Sequence, residues 1–154
     1  DLRPSSLDDL GLEAVTRRYC QEFESETNIR TDFKFFGDKS RLGSDIETTL
    51  FRIIQESLNN VKKHAEAKSV VIKLEFMQEV INLSIIDDGV GFECKNSRPK
   101  YNDEKHFGIM TIEERASLLN GVFEIESAVG QGTKIFISIP IDKSSERSDF
   151  TGEN

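Results

Sequence analysis

The chain has 154 residues, 31% of them charged and 36% hydrophobic, with a formal net charge of −8 and no Trp. That length supports one domain burying about 70% of its unfolded surface. The acidic balance argues against a general binder of nucleic acid or anionic membranes. No apolar run approaches the roughly 20 residues that span a bilayer, and no signal peptide is visible. Cys20 and Cys94 lack metal-ligand or redox spacing and read as free thiols of a reducing cytoplasm. The chain begins at Asp1 rather than Met and is read as part of a longer protein, whose membrane or sensory parts would lie elsewhere.

Residues 1–11 are rich in Leu, Pro and Asp and read as a linker or a fraying helix end. Leu12, Val15, Tyr19 and Phe23 follow helical spacing, which predicts a helix over about 12–26, ending before Asn28. Ile29, Thr31, Phe33 and Phe35 alternate with Arg30, Asp32 and Lys34, the pattern of a half-buried strand. A loop over 37–43 leads into helical periodicity from about 44 to 65. Ser44 or Asp45 can cap that helix, and Glu47 in its first turn suits the dipole.

Within this helix the stretch 56–64 reads Glu-Ser-Leu-Asn-Asn-Val-Lys-Lys-His. Leu50, Ile54, Leu58, Val61 and Ala65 recur at three- and four-residue intervals and share one face. Glu56, Asn60 and Lys63 fall on roughly the opposite face. Oxygens of Glu and Asn suit Mg²⁺, and a Lys ammonium suits phosphate. An ordinary solvated helix face carries the same residue types, so the stretch alone leaves both readings open.

Val70, Ile72, Leu74 and Phe76, then Ile81, Leu83 and Ile85, form two alternating runs joined by a short turn at 77–79, an antiparallel hairpin. The second run leads into Asp87-Asp88-Gly89-Val90-Gly91, where an acid and two glycines let backbone approach a ligand or simply make a turn. Residues 93–105 are polar, contain Pro99 and read as a mobile surface loop. Gly108 then stands before a short helix marked by Ile109, Ile112, Ala116 and Leu119. A glycine there exposes backbone N–H groups to a phosphate, or merely begins the helix. A strand over 122–126, a turn at Gly130-Gln131-Gly132-Thr133 and a last strand with Ile135, Ile137, Ile139 and Ile141 complete the domain. The Ser-rich, charged residues 142–154 read as a disordered tail.

Four separately weak signals thus follow in order: the helix with Glu56 and Asn60, DxGxG, a glycine before a helix, and GxGT. That ordered set resembles the N, G1, G2 and G3 boxes of the GHKL ATPase superfamily, which includes gyrase, Hsp90, MutL and histidine kinases. It is most similar to the catalytic ATP-binding domain of bacterial sensor histidine kinases. The subclass is that of NarL-type response-regulator partners, the DegS-, NarX- and LiaS-like sensors. Leu2-Arg3-Pro4, Leu7-Asp8-Asp9-Leu10-Gly11-Leu12, Gln55-Glu56-Ser57-Leu58-Asn59-Asn60 and Glu114-Arg115-Ala116 fit that subclass as well, so the resemblance covers about residues 2–141.

The resemblance implies an α/β (α+β) two-layer sandwich of the Bergerat type: a mixed, mostly antiparallel sheet with helices on one face. It implies a linker over 1–11 from a dimerisation domain, an ATP-binding catalytic domain over 12–141 and a tail over 142–154. Asp87 should accept a hydrogen bond from the adenine amino group, with Gly89 and Gly91 flooring the pocket. Asn60 should ligate Mg²⁺ bridging the phosphates, with Asn59 a neighbouring candidate. Glu56 should polarise a water or the incoming nucleophile, as the candidate catalytic residue. Lys63 and His64 could reach phosphate oxygens. Gly108 with the amides that follow it, Ile109 first, should hold phosphate as part of a lid. Gly130, Gly132 and Thr133 should close the adenine side. Thr111 stands where relatives often have the second lid glycine, and its hydroxyl could donate to phosphate.

The implied chemistry is transfer of the γ-phosphoryl of ATP to a histidine on the dimerisation domain of a homodimeric parent, then to an aspartate of a NarL-type response regulator. His64 and His106 are the two histidines here, and neither is followed by the acid that marks the family's acceptor. The chain is therefore expected to bind Mg·ATP without phosphorylating itself, and stable ³²P incorporation would contradict that. Neither nucleic acid nor membrane is an expected direct partner. Rival readings are a free-standing GHKL ATPase with Glu56 as general base, a degenerate nucleotide-binding interaction module, and an anti-sigma-factor serine kinase of the same superfamily.

Overall fold

The computed structural model describes residues 5–37, 42–95, 98–99 and 104–141. Helix α1 spans Ser5–Thr27 and so begins well before the position its apolar spacing marks. The reason is Leu7, which is fully buried with Leu12, Val15, Cys20 and Phe23 and extends the apolar face upstream. The two parts of α1 meet at Gly11, whose φ of 81° and ψ of 169° break the helical path. This break turns the Leu12 amide out of the ladder, and Glu47 Oε2 accepts it at 3.4 Å. A carboxylate suits a helix start, where the dipole is positive and amides lack acceptors. Glu47 is only 2% exposed, so it serves the restart of α1 after Gly11 rather than solvent at the start of its own helix.

Strand β1 (Arg30–Gly37) packs Phe33 and Phe35 against the core. Helix α2 covers Ser44–Asn60. Its N-cap is Gly43, with no side-chain cap, so capping by Ser44 or Asp45 is not made. The Gly43 carbonyl already accepts the Ile46 and Glu47 amides, which starts the first turn one residue earlier. Leu50, Ile53, Ile54 and Leu58 are fully buried, each contributing roughly 1.5–3 kcal/mol relative to exposure. The helix finishes in a π-helical turn, Val61–Ala65, after which Glu66 takes a left-handed conformation and the chain turns into the sheet.

Strands β2 (Ser69–Phe76) and β3 (Val80–Asp87) form the expected antiparallel hairpin. Residues 93–105 do contain regular structure: two short paired strands, β4 (Cys94–Lys95) and β5 (Arg98–Pro99), and the first turn of α3 (Glu104–Leu118). Strands β6 (Val122–Ser127) and β7 (Thr133–Pro140) close the chain as a hairpin. The expected tail, 142–154, lies outside the described residues.

The main sheet has the order β1-β2-β3-β7-β6. The β1–β2 pair is parallel because α2 makes the crossover between them; the other pairs are antiparallel. On one face Val70, Ile72, Leu74, Ile81, Leu83, Ile85, Ile135, Ile137 and Ile139 are buried, while Lys73, Ser84, Asn82 and Ser138 alternate onto the other. Ile53, Ile54, Ile109, Ile112 and Ala116 of the helices belong to the same core. The result is the expected two-layer sandwich, helices on one face of a mixed, mostly antiparallel sheet.

Candidate functional site

The site lies where β3 ends and β7 begins. Asp87 and Thr133 are opposite one another in the β3–β7 register, and Ser127 is opposite Thr133 in β6–β7. These three polar side chains form one row across three adjacent strands, because directly opposed residues point to the same face. The loops beyond the row are tied together by backbone hydrogen bonds. Val90 N–H donates to the Ala65 carbonyl at 2.6 Å, and Gly130 N–H donates to the Val90 carbonyl at 2.6 Å. The π-helical turn after α2, the 87–92 loop and the 128–132 loop therefore share one rim. Gly132 makes the close approach possible: its φ is +70°, and a Cβ there would collide with the Asp87 carbonyl.

Inside the rim is a narrow pocket lined by Ser57, Asn60, Asp87, Ile109 and Thr133, with Val61, Ala65, Ile85, Gly91, Phe92 and Ile135 as further wall. Its free volume is about 30 Å³, room for one or two waters. Asp87 is 8% exposed, and its Oδ1 accepts the Gly89 N–H at 2.9 Å, which fixes the carboxylate over the pocket. Asp88 does different work on the outside of the loop. Its carboxylate accepts the Lys68 amide (2.8 Å), the Ser69 amide (2.9 Å) and the Ser69 hydroxyl (2.9 Å). The Ser69 amide above all holds its pKa below the ordinary carboxylate range; desolvation opposes it, and the Ser69 hydroxyl and the Lys68 amide add to the lowering.

The polar face of α2 is not an ordinary solvated face, because α3 lies over it. A Cβ on Gly108 would stand 2.5 Å from Asn60 Oδ1 and 2.8 Å from Glu56 Oε1, so the absence of a side chain lets α3 rest on these two groups. Gly108 consequently sits in the second turn of α3, not before the helix, and the helix start moves to Glu104. The Thr111 hydroxyl donates back to the Phe107 carbonyl at 3.0 Å, within the helix. Ile109 is 3% exposed and forms part of the pocket wall.

The family model of histidine kinase-, DNA gyrase B-, and HSP90-like ATPases matches residues 45–143, which includes every element around this pocket. The chain belongs to that ATPase family. It is 39% identical over 141 residues to the signal transduction histidine-protein kinase/phosphatase DegS of Brevibacillus brevis, covering 92% of this chain and 35% of the relative. It is 36% identical over 141 residues to the oxygen sensor histidine kinase NreB of Staphylococcus carnosus, covering 92% of this chain and 40% of that one. The chain thus spans between a third and two-fifths of the length of these curated relatives. The fold is that of a blue-light activated histidine kinase from Erythrobacter litoralis EL346, with a TM-score of 0.67 at 19% identity over 88% of this chain and 43% of that chain.

Membership of the ATPase family implies ATP binding, and it gives the residues singled out from the sequence a common frame. Asn60, Asp87, Gly91, Ile109 and Thr133 line the pocket. Glu56 and Gly108 adjoin it through Asn60. Gly89, Gly130 and Gly132 belong to the rim, Gly89 lying against the Ala65 carbonyl. Asn59 and His64 are half-buried and Lys63 is exposed, and these three do not form the pocket wall. Ser57, Phe92 and Ser127 were not singled out. Ser57 is buried in α2 and donates to the Ile53 carbonyl at 2.8 Å. Ser127 carries one signal in the sequence: it directly follows the strand expected over 122–126, ahead of GxGT.

The Mg²⁺ expected from the sequence can be tested against the residues at Asn60. Asn60 Nδ2 is buried without a hydrogen-bond partner, and Asn60 Oδ1 and Glu56 Oε1 both face Gly108. The two oxygens on one helix face fit a hard cation, while the unsatisfied Asn60 amide N–H fits an acceptor such as a phosphate oxygen. No group of three or more His, Cys, Asp or Glu side chains able to hold a metal occurs among the described residues. A cation here would take most of its ligands from phosphate and water, as Mg²⁺ commonly does.

Proposed function

We propose that this domain binds Mg·ATP and presents the γ-phosphoryl to a histidine on a dimerisation domain outside this chain, for relay to a response-regulator aspartate. The observation that carries the reading is convergence. Asn60, Asp87, Gly91, Ile109 and Thr133 come from four separate motifs and meet in one pocket. Asp87, held by the Gly89 amide, accepts from the adenine amino group and disfavours a base with a carbonyl there. Asn60 and Glu56 supply the oxygens that hold Mg²⁺, which when bound neutralises phosphate charge. Glu56, one turn before Asn60, orients the incoming nucleophile. Lys63 and His64, on the turn that also carries the wall residues Val61 and Ala65, would meet phosphate oxygens. The amides at Gly108 and Ile109 belong to the second turn of α3 and are used by the helix, so they reach phosphate only when the first turn of α3 unwinds. Positioning and charge neutralisation are most of what phosphoryl transfer demands of a protein.

Relatives named as a histidine kinase/phosphatase and as an oxygen sensor histidine kinase support the kinase reading; a NarL-type regulator as partner follows from the subclass that the sequence resembles. No helix among the described residues is long and apolar enough to cross a membrane. We place the domain in the cytoplasm, where ATP and the regulator are. The test is calorimetric titration with a non-hydrolysable ATP analogue and Mg²⁺, on wild type and Asp87→Asn. Binding by the wild type that falls more than tenfold in the variant supports the reading, and failure of the wild type to bind overturns it. Fast ATP hydrolysis by the isolated domain, abolished in Glu56→Gln, would favour a hydrolysing ATPase instead.

A further inference from the structure

Ser127 stands behind the pocket wall, at the junction of three motif segments. Its Oγ accepts the Phe92 amide at 3.0 Å, meets the Gly132 carbonyl at 3.0 Å and meets Thr133 Oγ1 at 2.9 Å. A serine hydroxyl has one proton and two lone pairs, so these three contacts saturate it. The amide and the carbonyl leave no choice of direction. Phe92 N–H must donate, and the Gly132 carbonyl must accept the Ser127 proton. The contact with Thr133 is then made by the Thr133 proton, directed at Ser127.

Thr133 also has a single hydroxyl proton. Once that proton points at Ser127, Thr133 offers only lone pairs to the pocket that it lines. Its opposite neighbour on β3 is Asp87, and a carboxylate likewise only accepts. We propose that Ser127 is a specificity-determining residue. By taking the Thr133 proton, it makes the wall beside Asp87 accept hydrogen bonds and never donate them. Such a wall rewards a base edge that carries an amino group and leaves a carbonyl at the same position without a partner. Ser127 touches no ligand itself; it sets the polarity of the residue that does. The inference rests on the reading of this pocket as an ATP site.

The experiment compares ATP with ITP, in which the 6-amino group of the base is replaced by a carbonyl. Affinities for both are measured calorimetrically with Mg²⁺ on wild type, Ser127→Ala, Ser127→Cys, Ser127→Thr and the double variant Ser127→Ala/Thr133→Val. In Ser127→Ala the Thr133 hydroxyl is free to rotate and donate to the carbonyl, so the preference for ATP over ITP should fall about tenfold. Ser127→Cys keeps the size but accepts weakly, so its preference should fall too, which keeps the test alive if the alanine variant folds poorly. Ser127→Thr, which retains the hydroxyl, should keep the wild-type ratio. The double variant has no hydroxyl to donate and should regain discrimination against ITP. An unchanged ATP/ITP ratio in Ser127→Ala or Ser127→Cys, with both affinities lowered together, would mean a purely structural role and overturn the proposal. Absence of ATP binding by the wild type would instead overturn the ATP reading, and this inference with it.

Discussion

Gly130 and Gly132 show how much a single position depends on what surrounds it. Both have positive φ, +82° and +70°, and both belong to the same turn. At Gly130 a Cβ would meet nothing within 4 Å, whereas at Gly132 it would run into the Asp87 carbonyl. Alanine at 130 therefore costs the left-handed backbone penalty of about 1–2 kcal/mol. Alanine at 132 adds a clash between two strands that cannot part without breaking the β3–β7 pairing. We expect urea denaturation to give a loss of roughly 1–2 kcal/mol for Gly130→Ala and at least twice that for Gly132→Ala. Equal losses would show that backbone strain, not the approach of the two strands, requires glycine at 132.

At the scale of elements, the joints between segments organise the site more than the segments do. The end of α2 passes through a π-helical turn, and the Ala65 carbonyl it presents receives the Val90 amide. Asp88 reaches back from the same loop to the first amides of β2, so the DxGxG loop is anchored on both sides. The second anchor depends on charge. The folded pKa of Asp88 is depressed, so its contribution is complete above the ordinary aspartate pKa and is lost as the pH falls through the lower folded value. Because Asp88 is exposed, that contribution is small, about 1 kcal/mol or less. Denaturation midpoints measured between about pH 6 and pH 3 should therefore fall more steeply for wild type than for Asp88→Asn. Parallel curves would remove the carboxylate from the account of the joint.

Over the whole molecule, α3 decides whether the pocket is open. With Gly108 resting on Asn60 and Glu56 and with Ile109 in the wall, about 30 Å³ of free volume remains. Ligand pockets commonly offer about 300–1,000 Å³. If a purine occupies this pocket as proposed, part of the wall must give way; we expect α3, which carries Ile109, to be the part that moves, and hydrogen exchange should report it. Addition of Mg·ATP should change protection along residues 104–112 while the buried strands β2, β3 and β7 stay as they are. Unchanged exchange over 104–112 in a protein that demonstrably binds ATP would mean that the nucleotide enters without moving the helix.

Repeating patterns determined which segments are helices and strands. The alternation of Val70, Ile72 and Leu74 and the three- and four-residue spacing of Leu50, Ile54 and Leu58 are consequences of local geometry, so they are legible in one dimension. The motif residues Asn60, Asp87 and Thr133 were legible for a different reason, since their order along the chain is itself a pattern. Tertiary structure decided what lies between distant residues. It assigned Glu47 to the restart of α1 after Gly11, drew Gly108 into a helix laid over Asn60, and set Ser127 and Thr133 side by side with Asp87. None of these is written in spacing, because each depends on which strand neighbours which and on how closely two backbones approach. A hydroxyl's single proton is directed by groups up to 35 residues away in the chain, and only the folded sheet brings those groups within hydrogen-bonding distance.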